Sequence, residues 1–98
     1  MLFAVRFTDK TGLGAVRQQH MSAHIAWLDE RQATIKVAGS LRQTPDDLPL
    51  GALWIVEAES TAAVEALYQT DPFWTHGLRQ SVEILHWSKA FPDIQVSV

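Results

Sequence analysis

Leu2-Phe3-Ala4-Val5-Arg6-Phe7-Thr8 is the stretch that decides the fold. Its bulky apolar residues Phe3, Val5 and Phe7 fall on alternate positions, the period of a β-strand with one face in a core. Asp9-Lys10-Thr11-Gly12-Leu13-Gly14 then interrupts the pattern with turn residues. From Ala15 to Arg31 there is neither Pro nor Gly and helix formers dominate, which predicts one long helix. A strand, a turn and a helix therefore open the chain.

The same reading carries through the remainder. Thr34 to Leu41 is β-rich, and Thr44-Pro45-Asp46-Asp47-Leu48-Pro49 is a loop. Ala52 to Glu59 reads as a third strand, and Ser60 as the N-cap of a helix over Thr61 to Gln69. Asp71 and Pro72 open a fresh helical turn, since Asp suits the cap and Pro the first turn; Gly77 ends it. Ser81 to Lys89 alternates again as a fourth strand, with Phe91 to Val98 as a tail. No shift of composition divides the chain, so residues 1–98 are expected to form one domain. With right-handed crossovers, the order β-α-β-β-α-β predicts an α+β, ferredoxin-like plait. Its four-stranded antiparallel sheet would carry both main helices on one face.

Composition limits what such a domain does. Eight basic against eleven acidic residues leave a formal charge of −3, which offers no cationic field for a phosphate backbone. No nucleic acid partner is expected. Cys is absent, which removes disulfides, thiolate metal sites and a Cys nucleophile together. The start, Met1 to Arg6, lacks the basic and apolar regions of a signal peptide, and no apolar run reaches the roughly 20 residues that span a bilayer. A cytoplasmic location without a membrane partner is the expectation. Charged residues make up only 19% of the chain while hydrophobic ones make up 47%, with four Trp. With Phe3, Val5 and Phe7 turned to the helices, the other sheet face keeps Leu2, Ala4, Leu53, Ile55, Leu85 and Trp87. A face open to water is normally polar, so a homodimer joined through this sheet face is predicted.

Few residues are equipped for chemistry. His20 and His24 lie four apart and share a face of the long helix. His24 falls in the stripe that meets the sheet, where a His is either a satisfied core residue or a site residue at the floor of a cleft. The i, i+4 spacing is also that of metal-binding helices, but no Glu follows His20 and no acidic cluster is near in sequence, so no metal is expected. Asp71 is explained as a cap, yet a cap carboxylate can also orient an imidazole and raise its basicity. Trp74 and Trp87, near turns and strand ends, are candidates for a pocket wall or a dimer contact. Arg6 and Arg42 are candidates for holding an anionic group. The serines lack a nucleophile-elbow context, and Gly12-Leu13-Gly14 has no third Gly to complete a dinucleotide motif.

Taken together, His24-Ile25-Ala26-Trp27-Leu28, Ala38-Gly39, and Asp71-Pro72-Phe73 followed by Gly77 resemble the YCII-related (YciI-like) proteins over about Met1 to Lys89. That resemblance implies a ferredoxin-like fold, dimers of the dimeric α/β-barrel type, and a His–Asp active site carried here by His24 and Asp71. Relatives of this kind include a dehydrochlorinase of chlorinated hydroxyquinols, and muconolactone isomerase has a similar fold. Two departures stand out: Ser40 occupies a place where family members often have Pro, altering the pocket edge, and His20 is additional. The expectation is an enzyme that needs no cofactor. His24 would move a proton on a small cyclic oxygenated substrate, Asp71 would orient it, and Ser40, Trp74, His20 and Arg6 would contact the substrate. The alternative is a non-catalytic dimeric module for binding a small ligand or for assembly, in which His24 and Asp71 only fix the fold.

Overall fold

A computed structural model describes all 98 residues, Met1 to Val98. In β1 (Leu2–Asp9) the alternation read from sequence places Phe3, Val5, Phe7 and Asp9 on the buried side. Seven elements follow one another: β1, α1 (Gly14–Asp29), β2 (Ile35–Leu41), β3 (Gly51–Glu57), α2 (Thr61–Tyr68), α3 (Pro72–Thr75) and β4 (Arg79–Trp87). The strands form one antiparallel sheet in the order β2-β3-β1-β4. This is the ferredoxin-like plait, an α+β fold.

Register decides which side chains share a face. Phe3 pairs with Val56 and His86, Val5 with Trp54 and Ile84, and Phe7 with Ala52 and Val82. Apart from the exposed His86, these rows form the core with Trp27 of α1 and with Val64 and Tyr68 of α2. The opposite rows are Leu2, Glu57 and Trp87; Ala4, Ile55 and Leu85; and Arg6, Leu53 and Glu83. Leu53, Leu85 and Trp87 are exposed there, and Val37 and Leu41 extend the apolar face onto β2. Backbones approach closely at Gly51, where an added Cβ would stand 1.8 Å from the Phe7 carbonyl oxygen.

Several boundaries differ from the sequence expectation by one or two residues. The first helix ends at Asp29 rather than Arg31, and the third strand at Glu57 rather than Glu59. More consequentially, β4 starts at Arg79, two residues before the expected Ser81. The cause is the turn that ends α3. Gly77 adopts φ +75°, its N–H donates to the Trp74 carbonyl, and the Leu78 N–H donates to the Phe73 carbonyl. This pair of bonds closes a Schellman turn, which only a left-handed residue such as Gly makes without strain. The chain leaves it already in strand geometry, so Arg79 pairs with Asp9 across a register shift in β1. No helix is long and apolar enough to cross a membrane.

Candidate active site

Two neighbouring contacts tie α1 to the turn between α2 and α3. Trp27 Nε1 donates to Thr70 Oγ1 at 3.0 Å. One turn earlier on α1, His24 Nδ1 meets Asp71 Oδ1 at 2.7 Å. Asp71 is 1% exposed and His24 7%, so the bond lies out of water. The same Oδ1 accepts the Phe73 N–H at 3.1 Å, which makes Asp71 the cap of α3 as well as the partner of His24. A carboxylate only accepts, so Nδ1 carries the proton and the neutral ring keeps its lone pair on Nε2. The Phe73 ring stacks on the imidazole with centroids 3.9 Å apart and planes at 11°. Bond and stack together fix the ring's position and tautomer.

His24 opens onto a cleft of about 130 Å³ between α1, the start of α3 and the β2–β3 edge. Arg17, Met21, Ser40, Trp54, Phe73 and Arg79 also line it. Behind its wall Arg79 Nη1 donates to Asp9 Oδ1 at 2.7 Å, and Arg17 Nη2 donates to Asp9 Oδ2. Arg79 is 6% exposed, and its Nε is the only buried side-chain nitrogen or oxygen without a hydrogen-bond partner. Both guanidinium carbons stand 5.2 Å from the centroid of the Phe73 ring. The Phe73 ring thus packs against both a carboxylate-held imidazole and two cations that share one carboxylate.

A model of the YCII-related domain matches residues 1–88. The chain belongs to the YCII-related family. Among solved structures, it is 30% identical to 5-chloro-2-hydroxyhydroquinone dehydrochlorinase (TftG) from Burkholderia phenoliruptrix, determined in complex with 2,5-dihydroxybenzoquinone. That match covers 90% of this chain and 94% of the dehydrochlorinase, with a TM-score of 0.81. A candidate antibiotic biosynthesis monooxygenase from Bacteroides thetaiotaomicron shares the fold at 14% identity and a TM-score of 0.52, over 99% of this chain and 95% of its own. Protein Atu4242 from Agrobacterium tumefaciens does so at 12% and 0.51, over 94% and 98%. No curated protein sequence matches the chain.

The residues singled out in this YCII-related sequence do not all gather at the cleft. His24 and Asp71 meet, and Ser40 stands at the rim, where its hydroxyl oxygen accepts from Arg42 Nη2 at 2.6 Å. His20 instead stacks on His76, with ring centroids 3.7 Å apart and planes at 7°, beyond the cleft lining. Trp74 packs edge-on against Tyr68, because α3 turns that side chain toward α2. Arg6 lies on the opposite sheet face and pairs with Glu83 at 2.6 Å, since its position in β1 has the outward parity. Within the protomer, neither Trp74 nor Arg6 reaches the cleft.

Asp9, Arg17 and Arg79 escaped the sequence reading of the site, which holds Phe73 only as part of the Asp71-Pro72-Phe73 motif. Asp9 had a signal: it continues the inward parity of Phe3, Val5 and Phe7, and a buried acid requires a partner. Arg17 precedes His24 by seven positions, two turns along the same helix face. Arg79 had none, because its inward placement depends on the Gly77 turn.

Proposed function

We propose that this protein is a small-molecule enzyme working by general acid–base catalysis at His24. The 2.7 Å bond between His24 Nδ1 and Asp71, which leaves Nε2 free beside a cleft, carries the proposal. Asp71 holds the tautomer and stabilises the imidazolium that forms once Nε2 has taken a proton, a contribution of roughly 10²–10⁴-fold in rate for a well-placed group. The cleft is small and mainly apolar, which suits a single substituted ring. Kinship with a dehydrochlorinase supports loss of HCl from a chlorinated hydroxyquinol. In that reaction one hydroxyl proton moves to the chlorine-bearing carbon, giving the keto tautomer. A second hydroxyl proton then passes to Nε2, the electron pair it leaves shifts through the ring to expel chloride from that carbon, and a hydroxyquinone results. The departing chloride takes the electrons, so no external oxidant enters.

The test is chloride release and quinone absorbance from 5-chloro-2-hydroxyhydroquinone. Wild type is expected to turn over, and His24→Gln to lose about 100-fold or more. Equal rates for the two proteins overturn the role of His24, and no release by wild type overturns this substrate class.

We also propose that a second copy of the chain covers the outer sheet face. Its support is the row of exposed apolar side chains, Leu53, Leu85, Trp87, Val37 and Leu41, on a face that water alone would otherwise meet. Arg6 and Glu83, in register with Leu53, would then form their ion pair within that contact.

A further inference from the structure

We infer that Arg17 and Arg79 form an oxyanion-binding pair in the wall of the cleft, so that the substrate binds with an ionised hydroxyl, a phenolate or enolate, against them. Charge is the first reason. Two guanidiniums share the single carboxylate of Asp9, so this cluster carries one positive charge in excess. The Asp71 carboxylate is bonded to the His24 ring and the Phe73 N–H and to neither guanidinium.

Hydrogen bonding is the second reason. The Arg79 side chain is 1% exposed, lines the cleft, and has a buried Nε–H with no partner. A buried donor left unmet is costly, and a buried cation more so, unless a ligand meets it. Arg17, at 14% side-chain exposure, is the cation a ligand can reach from solvent. Geometry is the third reason. His24, Arg17 and Arg79 all stand against the Phe73 ring, so one small molecule in the cleft meets the base and the cations together. Resting on the acid–base reading of the same cleft, the inference gives that reading its electrostatic counterpart. When Nε2 removes a proton the electron pair moves toward oxygen, and preorganised donors at that oxygen stabilise it.

Equilibrium binding of 4-nitrocatechol tests this, because its absorbance distinguishes phenol from phenolate. Wild type is expected to bind it as the phenolate, even at a pH where free 4-nitrocatechol is protonated. Arg17→Gln removes the surplus charge and leaves the Asp9–Arg79 pair in place. It is expected to weaken phenolate binding about 10- to 100-fold and to abolish the spectral shift, with Arg17→Lys in between. The neutral analogue 1,2-dimethoxy-4-nitrobenzene is expected to bind wild type and Arg17→Gln equally, and thermal melts confirm that both are folded. Binding of the protonated phenol by wild type, or an equal loss for both ligands in Arg17→Gln, overturns the proposal. Turnover plays no part in these titrations. Chloride release without phenolate selectivity would sink the oxyanion pair alone, and phenolate selectivity without His24-dependent release would sink the acid–base reading alone.

Discussion

Trp27 donates its indole N–H to Thr70 Oγ1 at 3.0 Å, one helical turn from the place where His24 reaches Asp71. The hydroxyl that accepts this bond donates its own hydrogen to the Leu67 carbonyl at 3.1 Å. Trp27 thereby pins α1 to the end of α2 and sets the height at which His24 faces Asp71. Thr70→Val keeps the shape of the side chain but leaves the indole N–H unmet, which is expected to cost about 1–2 kcal/mol. Urea denaturation of Thr70→Val, Trp27→Phe and the double variant checks this. The cycle should return a coupling near 1 kcal/mol, and simple additivity would show that the bond contributes nothing.

Gly51 and Gly39 make opposite predictions for the same substitution. A Cβ at Gly51 would overlap the Phe7 carbonyl at 1.8 Å, and strands β1 and β3 would have to part to admit it. Gly39 has open space around its Cβ position. Gly51→Ala is expected to lose about 3 kcal/mol or more, or to fail to fold. Gly39→Ala should stay within about 1 kcal/mol of wild type. Equal melting temperatures for the two variants would contradict the close approach of β1 and β3.

Alkaline pH acts through Tyr68. Its hydroxyl is held above the ordinary value of 10.0, first by burial and then by the nearby charge of Glu65. The unfolded chain therefore loses this proton at a lower pH than the folded one. The resulting stability is fully present below pH 10.0 and is lost as pH rises through the folded value. Urea midpoints measured from about pH 9 to about pH 11.5 should fall more steeply for wild type than for Tyr68→Phe. Parallel curves would remove Tyr68 as the cause.

Leu53 and Trp87 test the covering of the outer sheet face. Leu53→Glu places a charge at the centre of that face and, being exposed in the protomer, should leave the fold intact. Sedimentation at micromolar concentration is expected to show a dimer for wild type and a monomer for Leu53→Glu, with matching circular dichroism. A monomeric wild type would overturn the proposed dimer.

Much of this arrangement is legible in the sequence because it depends on short-range periodicity. The alternation of Phe3, Val5 and Phe7 marks the core face, and the Asp71-Pro72 cap marks α3, so the order of elements and the fold follow. His24 and Asp71 are legible as candidates, one by its helix stripe and the other by its cap. Their meeting is not a local property, since it depends on where Trp27 and Thr70 hold α1. Arg6 shows what single residues conceal: its charge drew attention, while the parity of its strand sent it to the other face. Arg79 shows the converse. Its inward position is set by the left-handed Gly77 and by the register shift near Asp9, and neither leaves a periodic trace.

The direct measurement on the dyad is the ¹⁵N spectrum of the His24 ring at neutral to mildly alkaline pH. With Asp71 accepting the Nδ1–H, the neutral ring must carry its proton on Nδ1 and leave Nε2 bare. Wild type should show that tautomer. Asp71→Asn, which retains an oxygen to cap α3, should shift the ring toward the other tautomer and reduce turnover by about 10²–10⁴-fold while the fold persists. A wild-type ring protonated at Nε2, with Nδ1 as the acceptor, would leave no base facing the cleft and would contradict the role assigned to His24.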